Sequence, residues 1–299
     1  LWGPRDECPD ENGMRLRDSQ CGLFATGKVL RRFGIPFTYL KNCNLEDECF
    51  AEGIDRFLRV CNVVKAFRNT RVLQISTRPF DFWSTMCNEG ELLEKFGIQL
   101  SPIPMPELTQ AMKDVKENSP EEIKEVTDYC REKMCIKVTP EQLDNVAALK
   151  IAMTRLGKKY GCNCGAIQCW NALQDEIGIM PCAANALCND EGFPIACETD
   201  IHGTITSVLV EAAAMGETRS FFADWTVRHP YNDNAELLQH CGPWPISIAK
   251  EKPTIDTPVA FDCSGSLMAQ AKDGEHISLV RFDGDNGEYS LLLGNAKTV

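Results

Sequence analysis

The sequence predicts an α/β fold, and two observations predict it. Short β-rich runs alternate with helical ones over the first two hundred or so positions, the pattern of βαβ units around a parallel sheet. Beyond residue 230 the texture changes to short strands separated by Gly, Asp and Pro, which reads as an antiparallel β region following the α/β part. With 299 residues, 43% of them hydrophobic, the chain can bury one large core or two modest ones.

The elements follow in order. Gln20 to Arg32 has helical apolar spacing (Leu23, Phe24, Val29, Leu30) and stops at Gly34. Ile35 to Leu40 reads as a strand, Glu48 to Phe67 as a helix, and Arg71 to Ser76 as a short strand. A helix from about Met86 to Phe96 precedes a strand from Ile98 to Ile103, closed by Pro102, Pro104 and Pro106. The stretch from Pro106 to Gly161 is helical and charged. Ser119-Pro-Glu-Glu and Thr139-Pro-Glu-Gln mark two helix starts, each with a capping hydroxyl and Pro at the first helical position. Cys164 to Cys169 returns as a buried strand, followed by a short helix and a loop from Pro181 to Gly192. Phe193 to Cys197 is a strand that delivers Glu198; Ile201 to Met215 is a helix; Ser220 to Ala223 is a strand that delivers Asp224. Leu237 to Gln239, Val259 to Asp262, His276 to Asp283 and Tyr289 to Leu293 are the later strands, the last of which calls for a partner beyond it.

The composition excludes several function classes. A net charge of −12 argues against nucleic-acid or anionic-membrane partners, because phosphate binding needs clustered Lys and Arg. No apolar run reaches the length of a membrane span, and the opening does not resemble a signal peptide. The sixteen cysteines show no zinc-finger spacing, and several sit inside apolar runs (Cys61, Cys169, Cys197), so reduced thiols in a cytoplasm are expected. A cysteine-based redox or zinc centre on Cys162, Cys164 and Cys169 is the competing reading. Neither His-Glu-x-x-His nor Gly-x-Ser-x-Gly nor a phosphate-binding glycine loop is present, which disfavours zinc peptidase, acyl-transfer and nucleotide chemistry.

What stands out is a pair of acids at strand ends, Glu198 and Asp224. In open α/β sheets ligands bind beyond the carboxyl ends of the strands. Strand-end acids also cap helices, and Asp200 is the better candidate for that duty, which leaves Glu198 free. His240 lies in the turn-rich run Gln239-His-Cys-Gly-Pro-Trp-Pro and can face a pocket. Gln168 ends the strand before Glu198, where its amide can reach a ligand hydroxyl or bond loop backbone. Trp170 and Trp225 are expected to pack in the core rather than against a ligand.

Leu1-Trp-Gly-Pro-Arg-Asp-Glu with Arg17-Asp-Ser-Gln-Cys-Gly-Leu-Phe-Ala-Thr-Gly-Lys resembles a junction segment of sugar isomerases of the L-fucose isomerase family. Cys197-Glu-Thr-Asp-Ile-His-Gly is similar to the segment carrying that family's first metal-binding carboxylate, Phe222-Ala-Asp-Trp to the second, and His240-Cys-Gly also fits. The resemblance runs in order over nearly the whole chain. It implies a metal-dependent aldose–ketose isomerase acting on a free deoxyhexose or pentose, such as L-fucose, D-arabinose or L-arabinose, in carbohydrate catabolism. Glu198 and Asp224 would bind Mn²⁺ or another divalent cation and act as the acid/base pair, with Gln168 and His240 toward the substrate. The family's histidine ligand would lie past Val299, with His240 as the alternative within the chain. The implied organisation is a tail of an N-terminal domain (1–35), a Rossmann-like parallel-sheet middle domain (36–212) and a partial C-terminal domain (213–299). A cytoplasmic homo-oligomer is implied for the full-length protein. A non-catalytic sugar-binding relative of the same fold is the alternative.

Overall fold

The computed structural model describes residues 1–258 and 262–299. The chain divides into two compact units, Leu1–Val64 and Lys65–Val299, each taken by itself below.

In the first unit, helix α1 (Ser19–Arg32) turns Leu23 and Gly27 inward. Asp6 caps its start, accepting from the backbone N–H of Ser19 at 2.7 Å and Gln20 at 3.1 Å. Such contacts satisfy donors that a helix leaves open at its first turn. The expected strand at Ile35 to Leu40 does not form. Leu40 donates to the Leu1 carbonyl at 2.9 Å, and that contact does not extend into a ladder. Helix α2 (Glu48–Arg68) begins here and ends in the second unit.

The second unit is built on a four-stranded parallel sheet of order β2-β1-β4-β5, comprising β1 (Arg71–Ile75), β2 (Gln99–Ile103), β4 (Cys164–Ile167) and β5 (Ile195–Ala196). Strand side chains alternate between faces, and the core splits accordingly. Leu73, Ile75, Ile167 and Ile195 enter one cluster with α4 (Met105–Asn118), α5 (Pro120–Lys133) and α6 (Pro140–Tyr160). Val72, Cys164, Ala166 and Ala196 enter the other with Leu92 of α3 (Glu89–Phe96) and Ile201, Ile205 and Val208 of α9 (Ile201–Ala213). The result is three layers, helices on both faces of a parallel sheet, as the alternating pattern predicts.

The helix starts behave differently from one another. Thr139 completes a capping box with Gln142, the two bonds measuring 3.2 and 3.0 Å. Ser119 makes no such cap; its hydroxyl accepts from Arg155 at 2.9 Å instead. The stretch read as a loop from Pro181 to Gly192 is mostly helix α8 (Cys182–Asp190). Every residue from Cys182 to Asn189 is buried, so the helix lacks the polar face that reveals one in sequence. A short α7 (Ala172–Ile177) precedes it.

The later region is antiparallel where expected, with β6 (Asp224–Arg228) on β7 (Glu236–Gln239) and β10 (His276–Asp285) on β11 (Glu288–Lys297). The segment 220–223 is not a strand; β6 starts at Asp224 itself. β11 finds its partner in the preceding β10, residue for residue from His276↔Lys297 to Asp285↔Glu288, rather than beyond it. Asn286 and Gly287 turn this hairpin at φ 51° and 80°, the left-handed pair that two-residue hairpins favour. Short β8 (Thr254–Asp256) pairs in parallel with β3 (Cys135–Ile136) and antiparallel with β9 (Ser266–Met268), a sheet the sequence reading missed. The strand expected at Val259 to Asp262 falls largely on 259–261, outside the described residues.

Candidate active site

The strand order fixes where a ligand site belongs. From β1 the chain first crosses to β2 on one side and later returns to β4 on the other, so the crevice lies at the carboxyl ends of β1 and β4. The loops leaving those ends are Ser76-Thr77, Gln168-Cys169 and, after β5, Cys197-Glu198-Thr199. They are tied together: Ser76 Oγ donates to Gln168 Oε1 at 2.7 Å, and Thr199 Oγ1 donates to the Thr77 carbonyl at 3.1 Å. The Thr199 N–H donates to the Ile167 carbonyl at 3.0 Å.

The backbone here is strained. Ser76, Glu198 and Thr199 hold φ of 66°, 53° and 53°. Left-handed backbone at non-glycine residues costs of order 1–3 kcal/mol each and persists only where surroundings impose it. Thr199 is β-branched, for which this region is an outlier. The two consecutive left-handed residues turn the chain between the end of β5 and α9, and Asp200 then caps α9 by accepting the Gly203 N–H at 2.8 Å. Asp200 thus takes the capping duty expected of it, and Arg281 pairs with it. Glu198 is left for other contacts, with only 8% of its surface exposed.

Those contacts are specific on both carboxylate oxygens. Oε1 lies 3.2 Å from Cys169 Sγ, whose thiol donates to it, while the Glu198 N–H donates to the same sulfur at 3.3 Å. Oε2 lies 3.5 Å from Nε2 of buried His240. His240 Nδ1 accepts the Gly242 N–H at 3.0 Å, so the imidazole in this arrangement carries its proton on Nε2, toward Glu198. Burial disfavours charging His240, but Cys241 and Glu198 outweigh it and pull its pKa up to about 10. An added proton on Nδ1 would meet the Gly242 N–H, so charging the ring requires breaking that backbone bond.

Asp224 joins the group electrostatically. It pairs in register with Gln239, the neighbour of His240, across β6 and β7. Partial burial of its carboxyl raises its pKa, His240 pulls it down, and Glu198 and Asp200 push it up again. As a residue Asp224 remains exposed. Glu198 and His240 are therefore in direct contact, Asp224 is within range of their charge, and Gln168 is bound to Ser76 on the neighbouring loop.

Two expectations fail. Trp170 and Trp225 are not core residues, at 37% and 60% exposed; Trp170 leans on Phe82 with ring centroids 5.5 Å apart. Cys162, Cys164 and Cys169 do not form a centre. Cys164 is buried in β4, whereas Cys169 groups with Cys197 and Glu198, their ligand atoms all within 4.8 Å of one another. All sixteen cysteines are free thiols. Ser76, Thr199 and Cys197 are the site residues that sequence reasoning missed, while Cys169 was singled out but with the wrong partners. The lack of a glycine in the tight turn between the strand ending at Cys197 and the helix opening at Ile201 was the available signal for Thr199.

Comparison with known proteins places the chain near sugar isomerases in sequence. Residues 1–68 match the family model described as fucose/sulfoquinovose isomerase, N-terminal domain. The sulfoquinovose isomerase of Alkalicoccus urumqiensis is 25% identical over 253 residues, 84% of this chain and 55% of that protein. That of Priestia megaterium is 25% identical over 250 residues, 83% of this chain and 54% of its own length. The sulfoquinovose isomerase of Clostridium sp. is also 25% identical, over 253 residues. The chain spans about half the length of the curated relatives it matches. The chain is thus similar at its start to a fucose/sulfoquinovose isomerase N-terminal domain, and over most of its length to sulfoquinovose isomerases.

Proposed function

We propose that this chain forms part of a metal-dependent aldose–ketose isomerase acting on a free sugar through an enediol. The observation that carries the reading is Glu198, a buried carboxylate held on a strained turn at the carboxyl ends of the parallel strands, with His240 in contact and Asp224 within range of its charge. Strained backbone at a strand-end crevice is where functional groups concentrate.

The isomerisation moves a proton from C2 of the aldose to C1, and a hydroxyl proton from O2 to O1. Glu198 is suited to carry the carbon-bound proton, since its Oε2 is fixed by the His240 side chain and its carboxylate cannot swing freely into water. Asp224, whose proton affinity is raised, is suited to hand a proton to the sugar oxygens. Gln168 is positioned to bond a sugar hydroxyl through its amide nitrogen, because its oxygen is already engaged by Ser76. Carboxylates and an imidazole are donors that suit a divalent cation of the Mn²⁺ class, which Glu198 and Asp224 would hold once drawn together, with His240, in contact with Glu198, as the alternative third ligand. When bound, such an ion polarises the carbonyl and stabilises negative charge on the sugar oxygens.

The sugar is proposed at two levels. The resemblance favours L-fucose, D-arabinose or L-arabinose; the named relatives add sulfoquinovose to the candidates. A homo-oligomer in the cytoplasm, and the assignment of residues 213–299 to a partial C-terminal domain, belong to the same proposal and are supported by the family resemblance. No helix among the described residues is long and apolar enough to cross a membrane.

The test is ketose formation by the intact protein across these four sugars, after chelation and after adding back Mn²⁺. Turnover that disappears with the chelator and returns with the ion is the expected result. Saturable sugar binding without any ketose, with metal bound, would replace it with a non-catalytic sugar-binding relative.

A further inference from the structure

Four cysteines far apart in sequence meet on the inner side of Glu198. Cys169 follows β4, Cys197 follows β5, Cys182 opens α8, and Cys241 follows His240 after β7. Cys169, Cys182 and Cys197 are each 2% exposed or less. Cys182 and Cys241 lie with their sulfurs 3.9 Å apart, and Cys182 adjoins Cys197 in turn. The Asn185 side chain, fully buried, donates to Cys197 Sγ at 3.4 Å, while its own oxygen is buried without a partner among the described residues. Buried thiols usually behave as small apolar side chains. These instead contact a carboxylate, an amide and each other.

We propose that Cys169, Cys197 and the Oε1 side of Glu198 form a binding site for a thiophilic divalent cation of the zinc or cadmium type, with Cys182 supplying a further sulfur. The three donor groups come from the ends of two adjacent strands and already lie within 4.8 Å of one another, so a single ion can reach them with small movements. Two thiolates with a carboxylate select soft and borderline ions, whereas the oxygen and imidazole groups on the other side of Glu198 suit a hard one. On binding, two S–H bonds break, two metal–sulfur bonds form, and two protons leave to solvent; nothing is oxidised or reduced. The same carboxylate thus faces two kinds of donor, Oε1 toward sulfur and Oε2 toward His240. A thiophilic ion would hold Glu198 from the sulfur side and inhibit the isomerase; that consequence rests on the function proposed above, but the site itself does not.

The experiment uses the intact protein, reduced and stripped of metal, titrated with Cd²⁺ while thiolate-to-cadmium charge-transfer absorption is followed in the ultraviolet. The band should rise to one equivalent per chain and persist in excess Mn²⁺. It should survive Asp224→Asn and fall to background in the Cys169→Ser/Cys197→Ser double variant. Zinc-edge X-ray absorption of the wild-type protein loaded with one equivalent of Zn²⁺ needs no variant, and should show sulfur in the first coordination shell. A first shell of oxygen and nitrogen alone, or no charge-transfer band with stoichiometric Cd²⁺, overturns the proposal. Sugar turnover is assayed on the same preparation. A thiolate band without turnover leaves the ion site standing and removes the isomerase; turnover without the band does the reverse.

Discussion

Glu198 and Thr199 concentrate the strain of the site into two residues, and magnitudes indicate how it can be detected. Relieving the left-handed backbone at Thr199 with glycine recovers about 1–2 kcal/mol. It also loses the hydroxyl bond to Thr77, worth roughly 0.5–1.5 kcal/mol, and adds unfolded-chain entropy of about 0.4–1 kcal/mol. These contributions nearly cancel. Thr199→Gly should therefore leave denaturant stability within about 1 kcal/mol of wild type while turnover falls, because the turn no longer aims Glu198. A variant that loses both together would tie Thr199 to stability alone. His202 is a second residue with a readable signature. It is buried on α9 with Nδ1 3.0 Å from Asp283 Oδ1, and its Nε2 has no partner among the described residues. Burial lowers its pKa below the ordinary 6.5, with Asp283 opposing. The unfolded chain then binds the proton more readily than the folded one, so stability falls as pH drops through 6.5 toward the folded value. Urea midpoints across this range should decline with acidity in wild type and decline less in His202→Gln. Equal slopes would show that His202 is not the group responsible.

Helices and strands were legible wherever their periodicity met ordinary chemistry. The βαβ order was readable because the sheet buries apolar side chains on both faces, as at Val72 and Leu73, and the helices show a single apolar stripe, as at Leu108, Met112 and Val115 of α4. Thr139-Pro-Glu-Gln was readable as a start because the capping box is local. Thr139→Ala should cost about 1 kcal/mol, measured as a lowered urea midpoint, while Ser119→Ala, which has no cap bond to lose, should cost less. The reverse order would contradict the cap assignment. Helix α8 was not legible, because burial on all sides erases the pattern, and Pro181 and Gly192 imitate loop punctuation. The sheet itself is the least replaceable element: Leu73→Ala, at a fully buried position in β1, should cost about 2–5 kcal/mol.

At the scale of the whole molecule, the strand-end acids were found from sequence because apolar strands ending in a carboxylate are visible in one dimension. Their convergence with His240 depended on topology, and the thiol group at 169, 182, 197 and 241 has no spacing that announces it. The doubly wound sheet brings the strand-end loops that carry Gln168, Cys169 and Glu198 together at its switch point, where the proposed isomerase chemistry would take place. In the proposed reaction Glu198 moves the carbon-bound proton. The most direct measurement is hydrogen exchange by NMR, incubating the four candidate sugars with the intact, Mn²⁺-loaded protein in D₂O. Deuterium at C1 of the ketose or C2 of recovered aldose should accumulate with wild type and fall to background with Glu198→Gln. Exchange at the wild-type rate in Glu198→Gln would contradict that role, because the proton would then move without the residue on which the site is built.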